Sequence, residues 1–168
     1  ESPIDDTVPA ERPITVRDVL GFRLGLGMDF AGPFPGTVLG ALAERGLPVG
    51  PPAPHAAPAP DEWLRIVGGV PLSHQPGARW LYNTGAQVLG VLVARAAGQP
   101  FGEVLKTRVF DPLGMSDTGF WTTETQRLAT AYMPGPDGLV VVTDEPGGKW
   151  SHPPAFGDGA AGLVSTAD

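Results

Sequence analysis

The chain has 168 residues, 42% of them apolar and 17% charged, which is enough apolar material for one core and too much for a disordered tail. Its net charge of −7 argues against a phosphate-binding basic face, and the absence of cysteine excludes disulfides, thiolate metal sites and a cysteine nucleophile. The 24 glycines and 20 prolines predict short elements joined by many turns and long loops.

In chain order, residues 1–13 are polar and proline-containing and read as loop. Thr15 is placed to cap a short helix over Val16–Leu20, with Asp18 at the third helical position completing a capping box. Residues 21–36 carry five glycines and two prolines and read as loop. Thr37 to Arg45 reads as a helix stopped by Gly46. The proline-rich stretch 47–60 is a surface excursion. Asp61 is the expected cap of a helix from Glu62 toward Gly68.

Thr84 to Ala97 is the strongest helical segment. Val88, Leu89, Val91, Leu92 and Val93 leave almost no polar face before Arg95, so this helix is expected to be buried. Gly98 ends it and Pro100 follows. A second helix is expected from about Phe101 to Phe110, closed by Pro112-Leu113-Gly114-Met115. Thr125 to Tyr132 reads as one more short helix, and Leu139 to Thr143 as the one clear strand. No repeat and no linker divides the chain, so residues 1–168 are expected to form a single domain.

Few residues fit an obvious chemistry. There is no Gly-x-Ser-x-Gly elbow, and none of the five serines is followed three positions later by lysine. His55, His74 and His152 are scattered, with no pair at i, i+4, so no metal and no cofactor is expected. Gly157-Asp158-Gly159-Ala160-Ala161-Gly162 matches the form Gly-x-Gly-x-x-Gly, but no strand precedes it and the chain ends six residues later. A tight glycine turn is the better reading than a dinucleotide site. No apolar run reaches the length of a membrane span.

Four segments together carry a resemblance. Pro13-Ile14-Thr15-Val16-Arg17-Asp18-Val19-Leu20 resembles a stretch common to class C β-lactamases and related esterases and DD-peptidases. Here Gly21-Phe22-Arg23-Leu24-Gly25-Leu26 replaces the usual His-Thr-Ser-Gly ending. Pro76 to Gly85, running on through Val88-Leu89-Gly90, resembles the segment bearing the Tyr-x-Asn motif and its following helix. Val109 to Phe120, with Pro112-Leu113-Gly114-Met115 and Asp117-Thr118, is similar to a third family segment. Gly162-Leu163-Val164-Ser165-Thr166-Ala167-Asp168 is similar to a fourth. The chain is thereby identified as resembling the serine β-lactamase and penicillin-binding-protein superfamily over nearly its whole length.

The resemblance implies acyl transfer: a serine in Ser-x-x-Lys attacks a carbonyl, lysine and tyrosine handle the proton, and water releases a covalent acyl-enzyme. A phenol, ordinarily near pKa 10, serves as a base near neutrality only where cations draw it down. By resemblance Tyr82 is the catalytic tyrosine, and its distance to Gly90 matches the esterase-like variant of the motif. Thr84 then stands where asparagine is usual. Matching Asn83 to the asparagine instead would put Leu81 at the tyrosine position and remove the proton relay. Asn83, Thr84 and Asp158, in a turn that lies near the cleft of relatives, are the candidate substrate-binding residues.

The Ser-x-x-Lys and the third motif are expected outside this chain, and Ser165-Thr166 reads as a helix start with nothing after it. The expectation is therefore an internal fragment: a mainly α helical lobe with long loops and little β, taken from an α/β parent fold. Its substrate would be a small ester, amide or β-lactam. Its exposed apolar face would take up the missing segments of the same enzyme or a second copy. The alternative is a non-catalytic ligand- or partner-binding piece of the same ancestry.

Overall fold

A computed structural model describes residues 4–32 and 36–167. Five α-helices set its frame: α1 (Val16–Leu20), α2 (Thr37–Glu44), α3 (Pro60–Val67), α4 (Thr84–Ala97) and α5 (Phe101–Leu105). Two strands, β1 (Ala131–Pro134) and β2 (Val140–Asp144), form an antiparallel hairpin. Helix outweighs strand and loop outweighs both, so the expectation of a mainly α chain holds only in part.

The capping box forms as read. The Asp18 amide donates to Thr15 Oγ1 at 3.3 Å, and the Thr15 amide donates back to Asp18 Oδ2 at 2.8 Å. Arg12 adds a two-pronged guanidinium contact to the same carboxylate at 2.7 and 2.8 Å, fixing the chain that enters α1. Val19 on α1, Leu24 and Leu26 beyond it, Leu39 and Leu42 on α2, Trp63, Ile66 and Val67 on α3, and Val70 make the main core. The apolar positions of α3 lie three and four apart, so one face of an otherwise polar helix enters that core.

Several sequence expectations need correction. The helix expected to begin after Asp61 starts at Pro60 with Ala59 as its N-cap, so Asp61 sits within the first turn. A proline at that position loses no helical hydrogen bond, which is why the helix starts there. Helix α4, expected to be buried, is only partly so: Thr84, Gly85, Gly90 and Val91 are buried, whereas Leu92 is exposed and Val88 and Leu89 are half-buried. It packs against α1, α5 and the loop around Gly159, and the rest of its surface is open.

The helix expected over Phe101–Phe110 changes character at Lys106, where the α-helical turns of α5 widen into a π-helical segment, Lys106–Phe110. Thr107 Oγ1 donates to the Glu103 carbonyl at 2.8 Å, a back-bond that competes with regular helix geometry. The helix expected over Thr125–Tyr132 is a 3₁₀ turn, Thr125–Arg127, followed by β1. Tyr132 pairs with Val142 and Met133 with Val141, and this cross-strand pairing overrides the local preference. The strand expected at Leu139–Thr143 forms one residue later. Among the described residues, no single helix is long and apolar enough to cross a membrane.

Candidate functional site

Tyr82 is held by its backbone before its side chain does anything. Leu81, 1% exposed, anchors the segment in the interior, and its amide donates to the Phe22 carbonyl at 2.8 Å. One residue on, Tyr82 and Met28 exchange hydrogen bonds: Tyr82 N–H to Met28 O at 2.8 Å and Met28 N–H to Tyr82 O at 2.9 Å. This isolated antiparallel bridge needs a neighbour without a side chain. A Cβ on Gly27, whose φ is +150°, would stand 2.7 Å from the Tyr82 carbonyl oxygen. The glycine-rich loop read as mere connection is therefore the clamp that fixes the tyrosine.

The chain then turns sharply into α4. Asn83 has φ 83° and ψ −52°, and the Thr84 amide donates to the Tyr82 carbonyl at 3.2 Å across it. This is the rare, strained γ-turn of positive φ, adopted by a residue that carries a side chain. Thr84 is buried at the first position of α4, behind the turn. Tyr82, 40% exposed, keeps its ring between two aromatics: Phe30 at 5.3 Å and Trp80 at 6.2 Å between centroids. Trp80 is in turn stacked on Phe22 at 5.8 Å and 17°.

Tyr82 and Asn83 line a cavity of about 450 Å³ together with Met28, Phe30, Pro51, Pro52 and Ala161. The residues outside the motif were not legible as site residues, because they come from three separate loops. The proline excursion supplies Pro51 and Pro52, and it is tied down where His55 Nε2–H donates to the Lys149 carbonyl at 2.8 Å. Asp29 also reaches the cavity. Its Oδ2 pairs with Arg79 at 2.8 Å and its Oδ1 accepts from the Ala31 amide at 3.0 Å.

Asp158 does not line this cavity. Its Oδ2 accepts from Gln87 Nε2 on α4 at 2.9 Å, and its Oδ1 accepts from the Ala160 amide at 2.8 Å, an Asx-type turn. Both oxygens are thus engaged in joining the glycine loop to α4 and setting Ala161 on the cavity wall. Of the four sequence candidates, the structure brings Tyr82 and Asn83 to one surface and leaves Thr84 and Asp158 behind it.

The lysines stand elsewhere: Lys106 pairs with Asp111 at 2.6 Å, and Lys149 lies 5.6 Å over the ring of Trp150. Ser151 approaches a histidine, with Oγ 2.7 Å from His152 Nδ1, but the same hydroxyl lies 2.9 and 2.7 Å from the carbonyls of Gly147 and Gly148. Carbonyls only accept, so the single hydroxyl proton goes to one of them and Nδ1–H of His152 donates to Ser151. That polarity is the reverse of an activated nucleophile. Among the described residues, no group of three or more acidic or histidine side chains is placed to hold a metal ion.

A family model described as Beta-lactamase matches residues 2–168. Protein Rv1367c of Mycobacterium tuberculosis (strain ATCC 25618 / H37Rv) is 36% identical over 99% of this chain and 39% of its own length. Esterase EstB of Burkholderia gladioli is 37% identical over 64% of this chain and 31% of its own. Among solved structures, EstCE1, described as a hydrolase with promiscuous acyltransferase activity, superposes with a TM-score of 0.69 at 26% identity. That match covers 98% of this chain and 45% of the other. The chain spans about two fifths of the length of Protein Rv1367c.

Proposed function

The chain belongs to the Beta-lactamase family, and from that premise we propose that it is the tyrosine-bearing lobe of a serine hydrolase that cleaves a small ester, amide or β-lactam through an acyl-enzyme. One observation carries the reading: the Tyr82–Asn83 turn, strained at Asn83 and clamped by Met28, places the two residues together on one cavity. Strain of this kind persists where surrounding structure over-determines it, and it concentrates at functional sites. In this reading Tyr82 Oη takes the proton from the attacking serine and later returns it to the leaving group, while the Asn83 amide orients the substrate. Thr84 and Asp158 act behind the surface, one seating α4 and the other holding Ala161 in place.

The nucleophile belongs to a Ser-x-x-Lys outside these 168 residues. The chain contains no such pair, and the one serine hydroxyl seen against a histidine, that of Ser151, is committed to backbone carbonyls. Relatives more than twice as long are consistent with that arrangement. Exposed Leu113, Trp121 and Leu163, with the valines of the hairpin, support further segments of the same enzyme, or a second copy, covering this lobe. The name of Esterase EstB favours an ester over a β-lactam. The test is ester hydrolysis by the enzyme that carries this chain, wild type against Tyr82→Phe. The variant keeps both ring contacts and loses the hydroxyl, so a large fall in kcat with an unchanged fold supports the assignment, and unchanged kcat removes it.

A further inference from the structure

Six hydroxyl side chains, those of Ser116, Thr118, Thr122, Thr123, Ser165 and Thr166, gather on a second cavity of about 650 Å³. It shares no lining residue with the cavity at Tyr82. Two local structures build it. The bridge between Gly119 and Val164, bonded at 3.1 and 2.8 Å in the two directions, lays the end of the described chain against residues 116–119. The 3₁₀ turn Thr125–Arg127 then brings Arg127 back over the segment before it. Its Nη2 pairs with Asp117 at 2.7 Å and its Nη1 with Glu124 at 3.2 Å. Thr122 Oγ1 starts that turn by accepting the Glu124 amide at 3.0 Å.

Arg127 is the lone cation among the described residues lining the cavity, and both its ends are taken. Each carboxylate gives Arg127 one oxygen, which leaves Asp117 Oδ1 and Glu124 Oε1 as fixed acceptors. Thr118 Oγ1 and Ser165 Oγ lie 2.7 Å apart; one donates to the other, and the hydroxyl that receives keeps its own proton to give elsewhere. Beside them Trp121 is 42% exposed, and among the described residues no other aromatic ring packs on it. Fixed acceptors, hydroxyl donors and an uncovered indole suit a molecule with hydroxyls around its rim and C–H groups on its face. An anion would find no unpaired cation here, and a wholly apolar ligand would leave the carboxylates unused. Its place among hydroxyls sets Trp121 apart from exposed Leu113 and Leu163, neither of which lines the cavity. A ligand, and not a covering segment, accounts for its exposure.

We propose that this cavity is a second, non-catalytic binding site that takes a neutral sugar ring, with the C–H face of the ring on Trp121 and its hydroxyls on Asp117, Glu124 and the Thr118–Ser165 pair. Arg127 is the positioning residue that holds both carboxylates. Val164 on this cavity is three positions after Ala161 on the cavity at Tyr82, so the two walls lie within about 11 Å of each other. The proposal does not depend on the role given to Tyr82.

The test uses the enzyme that carries this chain, labelled with 5-fluorotryptophan, with the Trp121 resonance assigned by its loss in Trp121→Phe. The methyl glycosides of glucose, galactose, mannose and N-acetylglucosamine are titrated, with methoxycyclohexane as the same ring without its hydroxyls. The expected result is a saturable shift of Trp121 with at least one glycoside, at a Kd of about 1 mM. Buried Trp63 should not move, and methoxycyclohexane should leave Trp121 unmoved. Saturation transfer to the sugar protons then reads the variants. Trp121→Ala should weaken binding about tenfold and Trp121→Phe, which keeps a ring, only about twofold. Arg127→Gln should weaken it about fivefold, and Arg127→Lys, which can still pair with Asp117, should recover part of that loss. Ester hydrolysis should stay at the wild-type rate in Trp121→Ala, because Trp121 does not line the catalytic cavity. An unmoved Trp121 with all four glycosides, an equal response to methoxycyclohexane, or wild-type sugar binding by Trp121→Ala would each overturn the proposal.

Discussion

Gly90 on α4 and Gly159 on the loop after the Trp150 turn meet backbone to backbone: a Cβ on Gly90 would lie 2.8 Å from the Gly159 nitrogen, and one on Gly159 would lie 2.8 Å from the Gly90 nitrogen. Gly159 is the tighter of the two, since its added Cβ would also overlap the Ala86 carbonyl oxygen. The contact is what lets Asp158 reach Gln87 and brings Ala161 beside Tyr82. Gly159→Ala must push the loop off the helix, at a cost of about 1–3 kcal/mol typical of overpacking. Thermal unfolding measures it. Gly98→Ala is the contrast: nothing lies within 4 Å of its Cβ, and only the left-handed φ of 69° opposes the change.

Asn83 separates backbone strain from side-chain chemistry. Glycine tolerates a φ of 83° and alanine does not. Asn83→Gly is therefore expected to be more stable than Asn83→Ala by about 1–3 kcal/mol, the cost of a strained residue. Both remove the amide, so both are expected to impair hydrolysis. Denaturant unfolding beside an activity assay checks the pair. Equal stability of the two variants would show that the turn relaxes, and full activity in both would remove the amide from the site.

Asp18 makes the fold acid-sensitive. The Arg12 guanidinium, first, and the Thr15 hydroxyl and amide after it hold this carboxyl well below the usual carboxylate range. A depressed folded-state pKa contributes stability above the unfolded value, about 3.9, and that contribution is lost as pH falls through the folded value. Wild type should therefore lose Tm progressively below about pH 4. Asp18→Asn should be less stable at neutrality and should lose less on acidification. Thr15→Ala removes both the cap and the hydroxyl's hydrogen bond to Asp18, and is expected to cost about 1 kcal/mol or more at neutrality. Tm measured from pH 7 to pH 2 reads all three, and parallel wild-type and Asp18→Asn curves would contradict the linkage.

Tyr82→Phe is the test of chemistry without a change of packing. General acid–base catalysis contributes about 10²–10⁴-fold, so kcat for ester hydrolysis should fall by that order. The Met28 bridge is made by the backbone and the Phe30 and Trp80 contacts by the ring, so Tm should stay close to wild type. Tyr82→Ala loses both contacts and should lower Tm as well.

What could be read from the sequence was local or carried by motif. The Thr15–Asp18 capping box, the helix stop at left-handed Gly98 and the tyrosine before α4 each announce themselves within a few residues. What could not be read depends on partners far along the chain. Tyr132 looks like the end of a short helix until Val142 is available for pairing. Leu92 looks buried in the pattern, but it falls on a part of α4 that no other segment covers. Phe30, Pro51 and Pro52 look like loop filler, and only the fold brings them to Tyr82. Asp158 is put near the cleft by the resemblance alone; the sequence does not show that its two oxygens are taken by Gln87 and by the Ala160 amide of its own loop.

The central claim is that this lobe supplies the tyrosine while the serine comes from elsewhere in the enzyme. Intact mass after treatment with a fluorophosphonate probe tests it most directly. The account predicts that the 17.4 kDa chain stays at its own mass, while the longer polypeptide that joins it to a Ser-x-x-Lys gains one probe. A probe adduct on the isolated chain, at Ser151 or any other of its serines, would contradict it.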